Sequence, residues 1–196
     1  ICPSELGASA ALVVGCYAEW LSGSLLSSAL SMLAAVWGIA PAHCGRALRY
    51  IAETVGQAVL SSCGSEFSAA YAAALGVAEK FVLDGPADAM LQSRVAPLAN
   101  RSAARMAAVD ACDAAAHVAC CAPSPAESAG AYVAPWRTAL SLSDANRVSL
   151  ALECLTAYVD VLGAADPAGS LPLATEILSI LGSAAPGSIG GDVAAA

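Results

Sequence analysis

Apolar residues recur along this chain at intervals of three and four, and Gly, Pro and Ser separate the runs. That period places one stripe of side chains on one side of a helix. The first predicted helix opens at Ser4-Glu5, runs to about Trp20 and ends at Ser22-Gly23-Ser24. The second covers Leu25 to Ile39 and stops at Ala40-Pro41. Pro41 suits the first turn of a third helix, which carries Arg46, Arg49 and Glu53 to Ser62, with Gly64 as its C-terminal stop. Ser65-Glu66 starts a fourth that reaches Leu83, and Asp84-Gly85-Pro86 turns the chain. A short helix from Pro86 to Val95 and a longer one from Pro97 to Cys121 follow, closed by Pro123 and Pro125.

The second part opens with a weak helix over Glu127 to Val133, broken at Pro135. Ser143, as an N-cap before Asp144, starts a stronger one in which Val148, Leu152, Leu155, Val159 and Leu162 keep the helical period to Gly163. Asp166-Pro167 turns the chain into a last amphipathic helix, Pro172 to Leu181.

The alternating β-branched and aromatic pattern of strands is missing, and alanine, the residue most favourable to helix, dominates. The expected fold is all-α: a disulfide-linked bundle of about eight or nine helices without a sheet. Residues 1–184 form a single helical domain with a sub-boundary near 122–126, and 185–196 form a flexible tail. The uncharged stretch Leu21 to Gly45 is long enough to consider as a membrane span, but its serines and Pro41 favour a buried central helix.

Composition adds compartment and partners. Eight cysteines, Cys2, Cys16, Cys44, Cys63, Cys112, Cys120, Cys121 and Cys154, are an even number without a CxxC pair, which points to disulfides and an oxidising compartment rather than to zinc. Cys120 and Cys121, successive on a helix, diverge by about 100° and should reach different segments. Cys112 and Cys120 lie too far apart along one helix to bond. The start Ile1-Cys2-Pro3 suits a mature secreted product or a fragment of a longer precursor. Asn100-Arg101-Ser102 is a glycosylation sequon, making Asn100 a candidate glycan site. The net charge of −8 and the isolated arginine pairs Arg46/Arg49 and Arg101/Arg105 argue against nucleic acid as a partner, and the pairs read as solvated faces.

Chemistry concentrates in Asp110 to Cys121. Asp113, His117 and Cys120 or Cys121 share one helix face, so Asp113, His117 and Cys121 are candidate metal ligands. An ordinary surface pair is the stronger explanation of Asp113 and His117, three ligands on one helix would still need a closing one, and the expected cofactor set is empty. A hydrolase built on that face is a third class, without placeable partners. His43 beside Cys44 lacks the geometry of a nucleophile and base, because sequence neighbours rarely form that pair. Glu53 with Gln57, and Asp84 with Asp88, read as solvated surface. Trp20 and Trp37 are expected in the core, and Trp136, in the proline-broken segment, is the contact candidate.

The segment Cys154 to Ser183, with Gly163, Asp166-Pro167, Glu176-Ile177 and Leu181, resembles the last helices of silk-protein terminal domains, which are Ala/Ser-rich helical bundles. It covers about a sixth of the chain. Eight cysteines depart from that family's usual pattern. The function expected is a secreted or ectodomain, non-enzymatic interaction or structural domain, meeting a protein partner or a second copy. The alternative is a secreted carrier of lipid or another apolar small ligand. Membrane association is not favoured.

Overall fold

The computed structural model describes residues 3–80, 96–141 and 144–183, and these residues are helical with no sheet among them. The elements are α1 (Pro3–Cys16), a 3₁₀ turn (Ala18–Trp20), α2 (Gly23–Val36), α3 (Pro41–Ser62), α4 (Gly64–Ala78), α5 (Ala96–Cys120), α6 (Pro125–Leu140), α7 (Ala145–Ala165) and α8 (Pro167–Ser183). The Asp84-Gly85-Pro86 turn, the short helix to Val95, the end of the fourth helix near Leu83, Ser143, Cys2 and the 185–196 tail lie outside the described residues.

The centre of the bundle is α5, which packs against α3, α4, α6 and α7. Ala104, Ala107, Ala108, Ala111, Ala114, Ala115, Ala116 and Ala119 are all buried, so this helix is enclosed on several sides rather than along one stripe. The tightest approach is to α3 at Gly45, where an added Cβ would stand 2.8 Å from the Ala107 Cα. Farther along α3, a Cβ on Gly56 would stand 3.1 Å from the Cys121 sulfur. Backbone against backbone is the packing that alanine and glycine permit.

Several boundaries differ from the sequence expectation. The stretch Leu21 to Gly45 divides into α2 and the start of α3 at Pro41, as its punctuation indicates, with α2 ending at Val36 rather than Ile39. With 14 residues, α2 is short of a span, because about 20 apolar residues are needed to cross the hydrocarbon core. Leu26, Ala29, Leu30 and Leu33 of α2 are buried. Among the described residues α7 is the helix long and apolar enough to cross a membrane, and its Leu150, Cys154, Leu155, Tyr158 and Leu162 are buried in the bundle. The first helix stops at Cys16, ahead of the 3₁₀ turn, and Gly23 opens α2 with φ +51, a left-handed conformation that favours glycine.

Two prolines do not break their helices. Pro135 lies inside α6 and Pro172 inside α8, both exposed. The carbonyl each leaves without its helical donor can turn toward water on that side. Asp144 itself caps α7, accepting from the Asn146 and Arg147 amides. Asp166 caps α8 by accepting from Gly169 N at 2.9 Å, so α8 begins at Pro167, well before Pro172.

Polar ties join helices that alanine alone would leave free to slide. Ser27 Oγ donates to Glu66 across α2 and α4 at 2.7 Å. Arg105 Nε donates to Glu153 between α5 and α7 at 2.7 Å. Arg137 Nε donates to Glu176 between α6 and α8 at 3.0 Å. Arg105 is therefore a cross-helix tie rather than part of a solvated face.

Candidate functional site

Two surface features and one buried cluster hold the chemistry of the described residues. The first is an open cleft of about 680 Å³ between α3, α5 and α7, lined by Arg49, Glu53, Asp113, His117, Cys120 and Asp160 among others. Ligand atoms of Glu53, Asp113 and His117 lie within 4.8 Å of one another. Arg49 shares their space: its Nε is 2.8 Å from Glu53 and 3.2 Å from Asp113 Oδ1, and its Nη1 is 3.8 Å from Asp110. His117 Nδ1 is 3.1 Å from Asp113 Oδ1 and 3.0 Å from the Asp113 carbonyl oxygen.

Asp113 is 8% exposed, and its Oδ1 accepts no well-directed hydrogen bond despite these close charges. The Arg49 and His117 contacts are thus chiefly Coulombic. Burial raises the Asp113 carboxyl above its ordinary value, opposed by Arg49 and His117. Burial likewise raises Asp110, again opposed first by Arg49. Arg49 is raised, first by its bond to Glu53. The arrangement is a charge clamp holding α3 to α5, and a divalent cation could use Glu53, Asp113 and His117 only by displacing the guanidinium. The thiol that lines the cleft, Cys120, is pushed up by burial, which disfavours the nucleophilic thiolate.

Cys121 does not join Asp113 and His117. Its sulfur donates to the His117 carbonyl oxygen at 3.3 Å and packs toward Gly56 on α3, while Cys120 faces the α7 side. Arg49, Glu53 and Asp160 are the polar members of the cleft that the sequence reading did not place there. The i,i+4 pairs Arg49/Glu53 and Asp113/His117 were the available signal, but nothing in the sequence says that the two pairs meet. His43 and Cys44 do not form a reactive pair: Cys44 is fully buried and its thiol is pushed up to about 12.

The second feature is α1, whose sides are inverted in size. Gly7, Ala11, Gly15 and the following Ala18 turn inward, with Gly7 against Ile39 and Gly15 against Ala47. Leu6, Leu12 and Val13 of α1 are exposed, and so are Tyr17 and Trp20 in the turn that follows it. Beside it runs a groove of about 370 Å³ between α1 and α3, lined by Leu12, Cys16, His43, Ala47 and Tyr50 among others.

The tryptophan expectations for Trp20 and Trp136 are reversed. Trp20 is 74% exposed, its Nε1 donating to Glu19 at 3.0 Å, whereas Trp37 is fully buried as expected. Trp136 is 5% exposed and donates from Nε1 to Tyr71 Oη at 2.8 Å. Tyr71 in turn donates to the Tyr132 carbonyl at 2.8 Å and stands 3.5 Å from the Cys112 sulfur. Tyr132 packs edge-on against both Tyr71 and Phe67, with centroids 5.2 and 5.9 Å away. This buried hub welds α4, α5 and α6 together.

Among the described residues the fold is all-α, and Cys16, Cys44, Cys63, Cys112, Cys120, Cys121 and Cys154 are not bonded in this structure. The sequon lies in α5; Ser102 is exposed, and the Asn100 side chain is outside the described residues.

Fold and surface together define the class: an alanine-packed all-α bundle with a charge clamp and exposed apolar residues on α1. No family model, curated protein or solved structure matches the chain. The segment Cys154 to Ser183 spans the second half of α7 and all of α8.

Proposed function

We propose that this chain is a non-enzymatic interaction domain, working outside the cytosol, whose α1 surface docks an amphipathic helix of a protein partner. The observation that carries this reading is the inversion of α1. Its small residues face the bundle, while its Leu6 and Val13, with Tyr17 and Trp20 just beyond its end, face solvent. Tyr and Trp each carry roughly 150–250 Å² of surface, so two such exposed rings beside Leu and Val exceed a scattering of single apolar residues. Aromatic anchors also dominate binding energy at interfaces.

Charge selects the kind of partner. Glu5 and Glu19 flank this surface on a chain of net charge −8, so a helix with basic flanks is attracted and a second acidic copy is repelled. The compartment follows from the eight cysteines. The groove beside α1, about 370 Å³ and largely apolar in its lining, favours as second reading the carrier of a small apolar ligand.

The test is a titration of the full chain with a synthetic helix bearing leucine at heptad a and d positions and lysine at the flanks, followed by tryptophan emission. The reading expects a saturable blue shift from Trp20 that Val13→Asp abolishes. No shift, or equal binding by Val13→Asp, overturns it. A concentration-dependent dimer in sedimentation, formed through the same surface, overturns the choice of a basic partner over a second copy.

A further inference from the structure

We infer that Glu53 of α3 and Asp113 and His117 of α5 form a site for one divalent metal ion of the zinc class, bound in exchange for the Arg49 guanidinium. The site is independent of the interaction surface proposed above, since none of its residues lies on α1.

Helix spacing and helix packing both build it. Asp113 and His117 stand one turn apart on α5, so their side chains share a face. The close approach of α3 at Gly45 and Gly56 brings Glu53 to that face. Ligand atoms of the three residues lie within 4.8 Å of one another. Ligands on a tetrahedral ion bonded at about 2.1 Å stand roughly 3.4 Å apart, so closure asks for side-chain shifts of about 1.4 Å or less. Glu53 can supply them, because its side chain is 34% exposed and lines an open cleft of about 680 Å³.

Asp113 supplies an observation that exposed acidic side chains would not. The residue is 8% exposed, and its Oδ1 is enclosed without a well-directed hydrogen bond, although Arg49 Nε stands 3.2 Å and His117 Nδ1 3.1 Å from it. A buried carboxylate oxygen in that state is costly, and coordination to a metal ion relieves the cost. The field also favours a cation, because Glu53, Asp113 and Asp160 line the cleft with one guanidinium, Arg49. The Arg49 side chain is 45% exposed and reaches Glu53 at 2.8 Å and Asp110 at 3.8 Å. Exposed pairs of this kind are weak, and an Arg49 released from Glu53 and Asp113 retains Asp110 as a partner.

The donor set defines the class of ion. One imidazole nitrogen with two carboxylate oxygens suits zinc and the neighbouring divalent ions, whereas calcium and magnesium favour oxygen alone. Three protein ligands leave a fourth position for water. Held from two helices, the ion takes over from Arg49 as the tie between α3 and α5. Cys120 lines the same cleft and is the rival ligand that the experiment must exclude.

The experiment titrates the full chain, stripped of metal with EDTA and kept reduced with a phosphine, with zinc chloride in a calorimeter. One saturable event at a single equivalent is expected, with a thermal midpoint that rises with zinc concentration. Glu53→Gln and His117→Gln should each weaken binding at least about tenfold, since even groups that only orient metal ligands are worth that much. Arg49→Gln should tighten binding several-fold, because the competing cation is gone. Neither a purely structural role for these residues nor adventitious binding to thiols produces that gain. Cys120→Ser should bind as wild type does. No saturable binding by wild type, unaltered binding by Glu53→Gln and His117→Gln, loss of binding in Cys120→Ser, or an Arg49→Gln chain that binds no tighter than wild type each overturns the inference. Where circular dichroism shows that His117→Gln has lost its fold, Glu53→Gln and Arg49→Gln decide the matter, both being changes at exposed side chains.

Discussion

Replacing Gly45 with alanine isolates the contact on which the centre of the bundle depends. The new Cβ would meet the Ala107 Cα at 2.8 Å, the Asp110 Cβ at 3.1 Å and the Ala107 carbonyl oxygen at 3.2 Å. Two of these three atoms are backbone, so no rotamer change relieves them and α5 must move. Overpacking of this kind costs typically about 1–3 kcal/mol. Alanine regains about 1 kcal/mol of helix propensity over glycine, and the crowding of backbone puts the cost in the upper part of its range. The net expectation is a loss of about 1–2 kcal/mol, or roughly 2–8 °C in thermal midpoint for a chain of this size. Gly76→Ala is the matched control, because a Cβ there meets nothing within 4 Å. Its expected effect is a gain of roughly 0.5–1 kcal/mol. Both are read by thermal and urea unfolding followed by circular dichroism at neutral pH. A Gly45→Ala chain as stable as wild type, with Gly76→Ala behaving as stated, would refute the close α3–α5 crossing.

Tyr71→Phe removes the acceptor of Trp136 Nε1 inside the core and should cost about 1–3 kcal/mol, seen as a lower urea midpoint, since a buried donor is left unpaired. A midpoint unchanged within error would mean that the indole is hydrated or paired elsewhere. Asp110→Asn tests the charge clamp through pH. The folded Asp110 carboxyl is raised above its unfolded value of 3.8, chiefly by burial, so the folded state holds that proton more tightly. This contribution to stability grows as pH falls through the raised value toward 3.8 and is smallest at neutral pH. The asparagine chain should therefore lose ground to wild type as urea midpoints are measured at successively lower pH, and a constant difference across that window would contradict the assignment.

The helices were legible because alanine and leucine keep a clear period and because proline and glycine punctuate it. What misled the reading was treating proline as a full stop. Pro135 and Pro172 are both on the solvent side of their helices, where a missing N–H and a displaced carbonyl are easiest to tolerate. The tryptophans were assigned by size alone, although the spacing held a better signal. Phe67 and Tyr71 on one helix, and Tyr132 and Trp136 on another, are i,i+4 aromatic pairs, and it is these two pairs that interlock. Of the acidic cleft, Asp113 with His117 could be read and its partners could not. Arg49 and Glu53 reach Asp113 only because α3 and α5 lie close enough at Gly45 and Gly56, a fact of tertiary packing rather than of spacing.

Small side chains at the centre also determine what is left outside. Where α3 and α5 approach with little more than glycine and alanine between them, the interior between that pair has no room for a leucine or a tryptophan. The same holds for α1, where Gly15 meets Ala47 of α3 and Gly7 meets Ile39 and Ala40 just ahead of it. Leu6, Leu12 and Val13 of α1 point outward, and Leu171, Leu178 and Leu181 of α8 do so as well. Burying these residues against a partner requires no opening of the core. Their backbone is already fixed by the helix they stand on, so docking costs chiefly the ordering of side chains, which is smallest for residues such as Tyr17 and Trp20 with few rotatable bonds. An exposed apolar surface on an alanine-packed bundle thus accompanies the packing, and it is also the preorganised surface that the proposed interaction needs.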